Sequence, residues 1–269
     1  MSTAGASAAL AFRELHHRPG APLLLPNAWD HASAAALTAA GFAAVGTTSL
    51  GVAAAAGLPD GAGQTRAETL RLAHRIGSRP FLLSVDIEGG FSDDPAEVAD
   101  LAVELAEAGA VGVNLEDGRA DGSLTAPHLH AAKITAVKAA VPWLFVNART
   151  DTHWLGGGRD SETASRLSAY QDAGADAVFV PGLADPASIA VAVGATALPL
   201  NVLATPDGPS LTRLAELGVR RVSLGSLLFR LALGAAVDTA ARLRANGVFP
   251  QTSPVPGYAA VQALASSGS

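Results

Sequence analysis

Carboxylate side chains stand directly after two neighbouring apolar runs of this chain. Asp86 and Glu88 follow the run 81–85, and Glu116 follows the run 111–115. On a strand, residues two apart point to the same face, so we expect Asp86 and Glu88 to face one way. Three carboxylates that meet repel each other unless a cation neutralises them, and oxygen ligands suit Mg²⁺ or Mn²⁺. The pattern therefore predicts a metal site, and ordinary ion pairs with Lys or Arg are the alternative.

Arg149 is the one cation that the sequence places at the end of an apolar run. A planar guanidinium can hold a substrate carboxylate through two parallel hydrogen bonds. It can equally form a structural pair with Asp151 or with Glu116. The residue types alone leave both roles open.

The remaining candidates for substrate binding are uncharged. Thr48 and Ser49 follow the run 43–46, and their hydroxyls and backbone N–H groups could cradle a carboxylate or an oxyanion. A plain turn at a strand end would use the same residues. Trp29 and Asn201 lie at the first and seventh apolar runs, and we include both as candidate substrate-binding residues.

Eight short apolar runs alternate with amphipathic stretches that end in glycine. The runs are continuous, as expected for parallel strands buried on both faces, and cover 23–25, 43–46, 81–85, 111–115, 143–146, 177–180, 198–202 and 221–224. Eight strand–helix units predict a single (β/α)8 barrel over residues 1–248. A doubly wound sheet is the rival, but no Gly-x-Gly-x-x-Gly follows the first run. Residues 249–269 are predicted to form a C-terminal arm with a short helix near 258–265.

Composition excludes several classes of protein. The chain has 269 residues, a net charge of −6 and no cysteine. The absence of cysteine excludes a disulfide scaffold and a cysteine nucleophile, and the negative charge argues against nucleic-acid binding. The longest apolar run is far shorter than the roughly 20 residues that span a bilayer. We expect no membrane contact and a cytoplasmic protein.

Five segments together resemble the isocitrate lyase / phosphoenolpyruvate mutase superfamily. They occur in family order and read PNAWD (26–30), GLPDG (57–61), VDIEGGF (85–91), VNLED (113–117) and NARTD (147–151), and the resemblance covers roughly residues 20–245. The resemblance implies a (β/α)8 barrel that binds Mg²⁺ and a 2-oxo acid or its enolate. It also implies a homo-oligomer, a dimer or a tetramer, that exchanges the eighth helix at 227–246 between subunits.

The resemblance also implies roles for individual residues. Asp86 corresponds to the direct metal ligand, and Glu88 and Glu116 to ligands that act through water. Asp60 corresponds to a further acid around the metal, and Arg149 to the clamp on a substrate carboxylate. Asp60, Glu116 and Arg149 are therefore the predicted catalytic residues, and Thr48 and Ser49 correspond to the segment that holds the substrate through backbone N–H groups.

One loop departs from the family pattern. Lyases of the family carry Lys-Lys/Arg-Cys-Gly-His after the fourth strand, whereas residues 118–128 here read GRADGSLTAPH, without Cys or Lys. The candidates for a mobile lid there are Arg119, Ser123 and His128. The sequence predicts a Mg²⁺-dependent lyase or decarboxylase acting on a small 2-oxo dicarboxylate through a metal-stabilised enolate. A phosphonopyruvate hydrolase or mutase and a non-catalytic 2-oxo acid binding protein are the alternatives.

Overall fold

A computed structural model of the chain describes residues 3–78, 80–155, 160–248 and 255–266. Within these ranges, parallel strands alternate with helices. The strands are β1 (Leu23–Leu25), β2 (Asn27–Ala28), β3 (Ala44–Thr47), β4 (Leu82–Asp86), β5 (Ala110–Glu116), β6 (Phe145–Arg149), β7 (Ala177–Val180), β8 (Leu200–Leu203) and β9 (Val219–Ser223). The helices are α1 (Thr3–His17), α2 (His31–Ala39), α3 (Ser49–Ala56), α4 (Arg66–Ile76), α5 (Pro95–Glu107), α6 (Pro127–Ala140), α7 (Asp160–Asp172), α8 (Pro186–Gly194), α9 (Leu211–Glu216), α10 (Leu227–Asn246) and α11 (Tyr258–Ser266).

The first barrel strand is broken at Pro26, and this break explains why there are nine strands rather than eight. Because proline has no N–H to donate, β1 stops before it and pairs with β9, whereas β2 resumes after it and pairs with β3. The Pro26 carbonyl accepts a hydrogen bond from the Gly46 N–H at 2.8 Å. The strands from β2 to β9 pair in chain order, so the predicted (β/α)8 barrel is confirmed.

The joints between helices and strands are built alike. Gly41, Gly109, Gly174 and Gly218 follow α2, α5, α7 and α9 and have φ angles of 90°, 99°, 95° and 90°. Only glycine takes this left-handed conformation without a steric penalty from Cβ. These turns confirm that the amphipathic stretches before them end at glycine, and each turn returns the chain to the start of a strand.

Helix α1 closes the amino-terminal end of the barrel. Its side chains Ala9, Phe12 and Leu15 are buried, and the Phe12 ring packs edge-to-face on Phe145 with centroids 5.1 Å apart. No element was predicted at residues 3–17. The helix owes its place to this apolar stripe, which fills the barrel from below and leaves the opposite end for the site.

Helix α10 lies apart from the core. It has no buried residue, and Leu231, Leu233 and Val237 are 59%, 55% and 63% exposed. The predicted short helix of the arm is present as α11, which packs on α2, while residues 249–254 lie outside the described part. Within the described ranges, no helix combines the length and apolarity needed to cross a membrane.

Candidate active site

A cavity of about 140 Å³ opens at the carboxyl ends of the strands, where barrel active sites lie. It is close in size to the roughly 150 Å³ cavity that admits benzene, so it suits a small molecule. Its lining combines five residues predicted from the sequence with others that were not predicted. The predicted ones are Thr48, Ser49, Asp60, Asp86 and Arg149, and the others include Asn27, Ser84, Asn114, Phe179, Arg221 and Ser223.

Asp86 ends β4 and faces this cavity. Its N–H donates to Thr47 Oγ1 at 2.8 Å, while its carboxylate accepts contacts of 3.4 Å from the N–H groups of Ser49 and Glu88. Ser49 is the first residue of α3, so the predicted turn is a helix start whose positive end faces the carboxylate. Within the described ranges, no Lys, Arg or His forms an ion pair with Asp86. Its carboxylate is therefore available to a ligand.

Asp60 lies at the solvent-facing mouth of the cavity. Partial burial raises the pKa of its carboxyl group, and the negative charge of Asp86 raises it further. A hydrogen bond from Ser49 lowers the pKa but does not cancel the rise. The negative charge of Asp86 therefore acts on the Asp60 carboxyl group across the mouth of the cavity.

Glu88 is turned away from Asp86, towards the loop before α4. Its carboxylate accepts hydrogen bonds from the Gly63 N–H at 3.0 Å and from the Thr65 hydroxyl at 2.5 Å. The strand alternation does not extend to Glu88, because β4 ends at Asp86 and Glu88 adopts a left-handed φ of 49°. Burial raises the pKa of Glu88. The two acids thus contact different parts of the rim.

Arg149, the last residue of β6, is surrounded by carboxylates. Its Nη1 lies 2.7 Å from Glu116 Oε2, and its Nε and Nη2 donate to the two oxygens of Asp151 at 2.6 and 3.1 Å. The guanidinium also stacks over the Phe179 ring, 5.5 Å from its centroid. Burial alone would lower the pKa of Arg149, but the carboxylates outweigh it and raise the pKa. Burial raises the pKa of Glu116 well above its usual value, and Arg149 offsets this in part.

Asp117 forms a second, fully buried cluster that the sequence analysis did not single out. Its Oδ1 accepts the Asp151 N–H at 2.9 Å. Its Oδ2 accepts from Arg166 Nη1 at 3.0 Å and from the Tyr170 hydroxyl at 2.5 Å. The cluster ties the end of β5 to α7 and to the segment that carries Arg149. The signal was present in the VNLED motif, whose last acid lies one residue beyond Glu116.

Arg221 is a second cation at the cavity, and the sequence analysis missed it. It lies in the middle of β9, is 2% exposed, and points into the barrel. Its Nε donates to Ser223 Oγ at 3.0 Å, and the predicted residue Asn201 donates to the same oxygen at 3.0 Å. Asn201 is itself fully buried behind Ser223 and is not among the residues that line the cavity.

Trp29 does not reach the cavity. Its ring packs edge-on against Phe229 of α10, with centroids 5.5 Å apart. Trp29 thus connects the end of β2 with α10. Its substrate-binding role stays a prediction.

The loop that departs from the family pattern is tied to its surroundings. Gly118 and Leu124 form an antiparallel bridge, and Arg119 reaches Asp93 at 2.9 Å. Ser123 donates to Asp121 within the loop, and His128 is exposed. On the helix that follows, Lys133 is buried and donates to the Gly89 carbonyl at 2.8 Å and to Asp93 at 3.4 Å. Lys133, the lysine nearest to this loop in the sequence, thus contacts the DIEGG segment at residues 86–90.

The charges around the cavity favour a bound cation. Two carboxyl groups, Asp60 and Asp86, and two guanidinium groups, Arg149 and Arg221, line the cavity. Three further carboxyl groups lie around it: Glu88, which is turned towards Gly63 and Thr65, and Glu116 and Asp151, which pair with Arg149. Among the described residues, no three Asp, Glu or His side chains enclose a metal position. The family resemblance implies one direct metal ligand, Asp86, with Glu88 and Glu116 contacting the metal through water. An all-oxygen set with surplus negative charge fits Mg²⁺ or Mn²⁺.

Comparisons with known proteins identify the relatives of this chain. The family model for phosphoenolpyruvate phosphomutase matches residues 12–244. An uncharacterized protein of Mycobacterium tuberculosis H37Rv is 44% identical over 255 residues, which cover 94% of this chain and 95% of that protein. An oxaloacetate decarboxylase of Ectopseudomonas mendocina is 33% identical over 195 residues, which cover 68% of this chain and 66% of that enzyme.

A solved structure is also similar to this chain. A Burkholderia cenocepacia J2315 protein, described provisionally as a lyase/mutase, superposes with a TM-score of 0.88 at 38% identity. The match covers 97% of this chain and 96% of that one. By its fold and by its sequence, the chain belongs to the phosphoenolpyruvate mutase / isocitrate lyase superfamily.

Proposed function

We propose that this protein is a Mg²⁺-dependent carbon–carbon lyase or decarboxylase that acts on a small 2-oxo dicarboxylate. The observation that carries the proposal is Asp86, a carboxylate without an ion-pair partner in the described ranges that lines the cavity beside Asp60 and Arg149. The similarity to an oxaloacetate decarboxylase supports the same substrate class.

The chain's own residues would hold the cation and the substrate from different sides. Asp86 is the direct ligand in this proposal, and Glu88 and Glu116 support it through water. When bound, Mg²⁺ supplies a Lewis acid that stabilises negative charge as it develops on the oxo oxygen of the substrate. The surplus of carboxylates would be neutralised at the same time, which lowers their mutual repulsion.

Thr48, Ser49 and Arg149 would orient the substrate. The start of α3 presents backbone N–H groups, and the side chain of its N-cap residue, Thr48, does not cap them. Such helix starts favour anionic groups. Arg149 has five N–H groups, of which three are engaged by Glu116 and Asp151. The two that remain can donate to a carboxylate without breaking the existing pairs.

A carbon–phosphorus reaction is the second candidate, because the matching family model is that of phosphoenolpyruvate phosphomutase. The loop 118–128 lacks the lysine of that branch, and Lys133 is engaged by Gly89 and Asp93. A 2-oxo acid binding protein without catalysis is the third. These alternatives differ in product, so one assay separates them.

The test is turnover of oxaloacetate, other 2-oxo dicarboxylates and phosphonopyruvate, with Mg²⁺ and with a chelator. We expect Mg²⁺-dependent loss of a 2-oxo dicarboxylate, abolished in Asp86→Asn and retained in the exposed control Asp100→Asn. Release of phosphate from phosphonopyruvate, or its rearrangement detected by ³¹P NMR, would support the second candidate. Binding of the acids by a folded protein without turnover would support the third and refute the proposal.

We also propose that the protein works as a dimer or tetramer and that another subunit covers α10. The exposed side chains Leu231, Leu233 and Val237 support this proposal, because exposed apolar patches of this kind mark protein–protein contacts.

A further inference from the structure

Arg221 has an unsatisfied hydrogen-bond donor inside the barrel. Its Nη1 is fully buried and finds no acceptor among the described residues. Its Nε is fixed by Ser223 Oγ at 3.0 Å, and Asn201 holds the same hydroxyl. Buried polar groups are nearly always paired in folded proteins, so an orphaned guanidinium nitrogen at a cavity needs a partner that enters it.

The charge of Arg221 is also without a direct counter-ion. No carboxylate of the described residues lies within ion-pair distance of it, whereas Arg149 contacts both Glu116 and Asp151. Asp86 is the carboxylate whose charge acts favourably on Arg221, and burial lowers the pKa of Arg221 to about 9, so it stays charged at neutral pH. An unpaired charge in a protein interior is strongly destabilising.

On the α1 side, His16 makes no hydrogen bond to Arg221 Nη1 and carries no negative charge. His16 of α1 lies on that side, and burial together with the charge of Arg221 lowers the pKa of His16 to about 3. The imidazole is therefore neutral, and its Nδ1 is engaged with the Phe12 carbonyl at 2.8 Å. An anion can approach Arg221 from the cavity side, where Arg221 forms part of the lining.

We infer that Arg221 is a second anion-binding residue of the active site, which receives a carboxylate of the substrate through Nη1 at the inner end of the cavity. The inference rests on the proposed function, which supplies the substrate class. It narrows that class to acids with two carboxylates. One carboxylate of the ligand would lie at the start of α3 and Arg149, and another would reach into the barrel. A 2-oxo monocarboxylate would leave Arg221 unpaired.

The test compares ligands with one and two carboxylates on the wild type, Arg221→Met and Arg221→Lys. Pyruvate, oxaloacetate and succinate are titrated by calorimetry in the presence of Mg²⁺. A hydrogen-bonded charge pair of about 1.5–3 kcal/mol corresponds to roughly 10- to 150-fold in affinity. We expect Arg221→Met to lose that factor for oxaloacetate and succinate and to bind pyruvate as the wild type does. Arg221→Lys should lose less.

Several results would overturn the inference. These are an equal loss for pyruvate and oxaloacetate, no loss for either dicarboxylate, or a wild type that binds no dicarboxylate. A purely structural arginine would give Arg221→Met a lower urea midpoint, whereas removal of an unpaired charge should leave the midpoint unchanged or higher. If dicarboxylates bind through Arg221 but no 2-oxo acid is turned over, the proposed function alone fails.

Discussion

Replacing Asp117 by asparagine tests how the strand ends at the site are held in place. Asp117 is fully buried and accepts three hydrogen bonds, from Asp151, Arg166 and Tyr170. Asparagine has one oxygen and one amino group where aspartate has two acceptors. Whichever way the amide is turned, its amino group faces at least one N–H or O–H donor. The variant also removes the charge that neutralises the buried Arg166.

The expected loss in the free energy of unfolding depends on the hydrogen-bond and ion-pair partners that Arg166 retains in the variant. Breaking a buried ion pair by removing one partner costs about 3–5 kcal/mol. Arg166 retains Glu162 at 3.1 Å and the Thr125 carbonyl at 2.8 Å, so we place the loss at about 3 kcal/mol, near the lower end of this range. A chain of this size loses roughly 2–4 °C in Tm per kcal/mol, so the Tm should fall by about 6–12 °C.

The assay is urea and thermal unfolding followed by circular dichroism at neutral pH. Asp100→Asn, an exposed aspartate on α5, is the matched control and should stay within about 0.5 kcal/mol of the wild type. Tyr170→Phe removes one hydrogen bond to the same carboxylate and should cost about 1.5 kcal/mol. An Asp117→Asn variant that loses less than about 1 kcal/mol would refute the claim that this cluster holds the strand ends.

Two further predictions concern stability and assembly. His16 has a folded pKa of about 3 against an unfolded value of 6.5, so the unfolded state gains a proton first as the pH falls, and acid destabilises the fold. Between neutral pH and pH 5 this histidine should cost about 2 kcal/mol, and His16→Phe should reduce the acid sensitivity by that amount in urea titrations; an unchanged pH dependence would contradict the buried neutral state. Light scattering should find an oligomer that Val237→Glu on α10 dissociates, whereas Leu129→Glu, at a 48% exposed site on α6, should not. A monomeric wild type would contradict the proposed role of α10.

The barrel was predictable because its signals are local. Most strands coincide with continuous apolar runs, and the glycines at 41, 109, 174 and 218 follow the ends of four helices. Two features of the fold were not predicted, because they depend on contacts between residues that lie far apart in sequence. The first strand, divided at Pro26, pairs with β9 through β1 and with β3 through β2, and the apolar stripe of α1 packs on residues of several barrel strands.

The site was predictable in part, for a related reason. Asp86, Arg149 and the start of α3 stand at strand ends, where a barrel always presents side chains to its active-site rim. Glu88 departs from strand alternation because β4 ends two residues earlier. Arg221 was missed because the predicted strand begins at that residue, while the true strand begins at Val219. The direction of a strand side chain depends on register, which the sequence does not show.

Direct metal binding tests the central claim, that the cavity is built around Asp86 as a cation site. The measurement is a titration with Mn²⁺, followed by electron paramagnetic resonance, on the wild type, Asp86→Asn and the control Asp100→Asn. We predict one Mn²⁺ per chain that Mg²⁺ displaces, with affinity at least about 10- to 100-fold weaker in Asp86→Asn and unchanged in the control. A folded wild type that binds no Mn²⁺, or an Asp86→Asn variant that binds it equally well, would contradict the account.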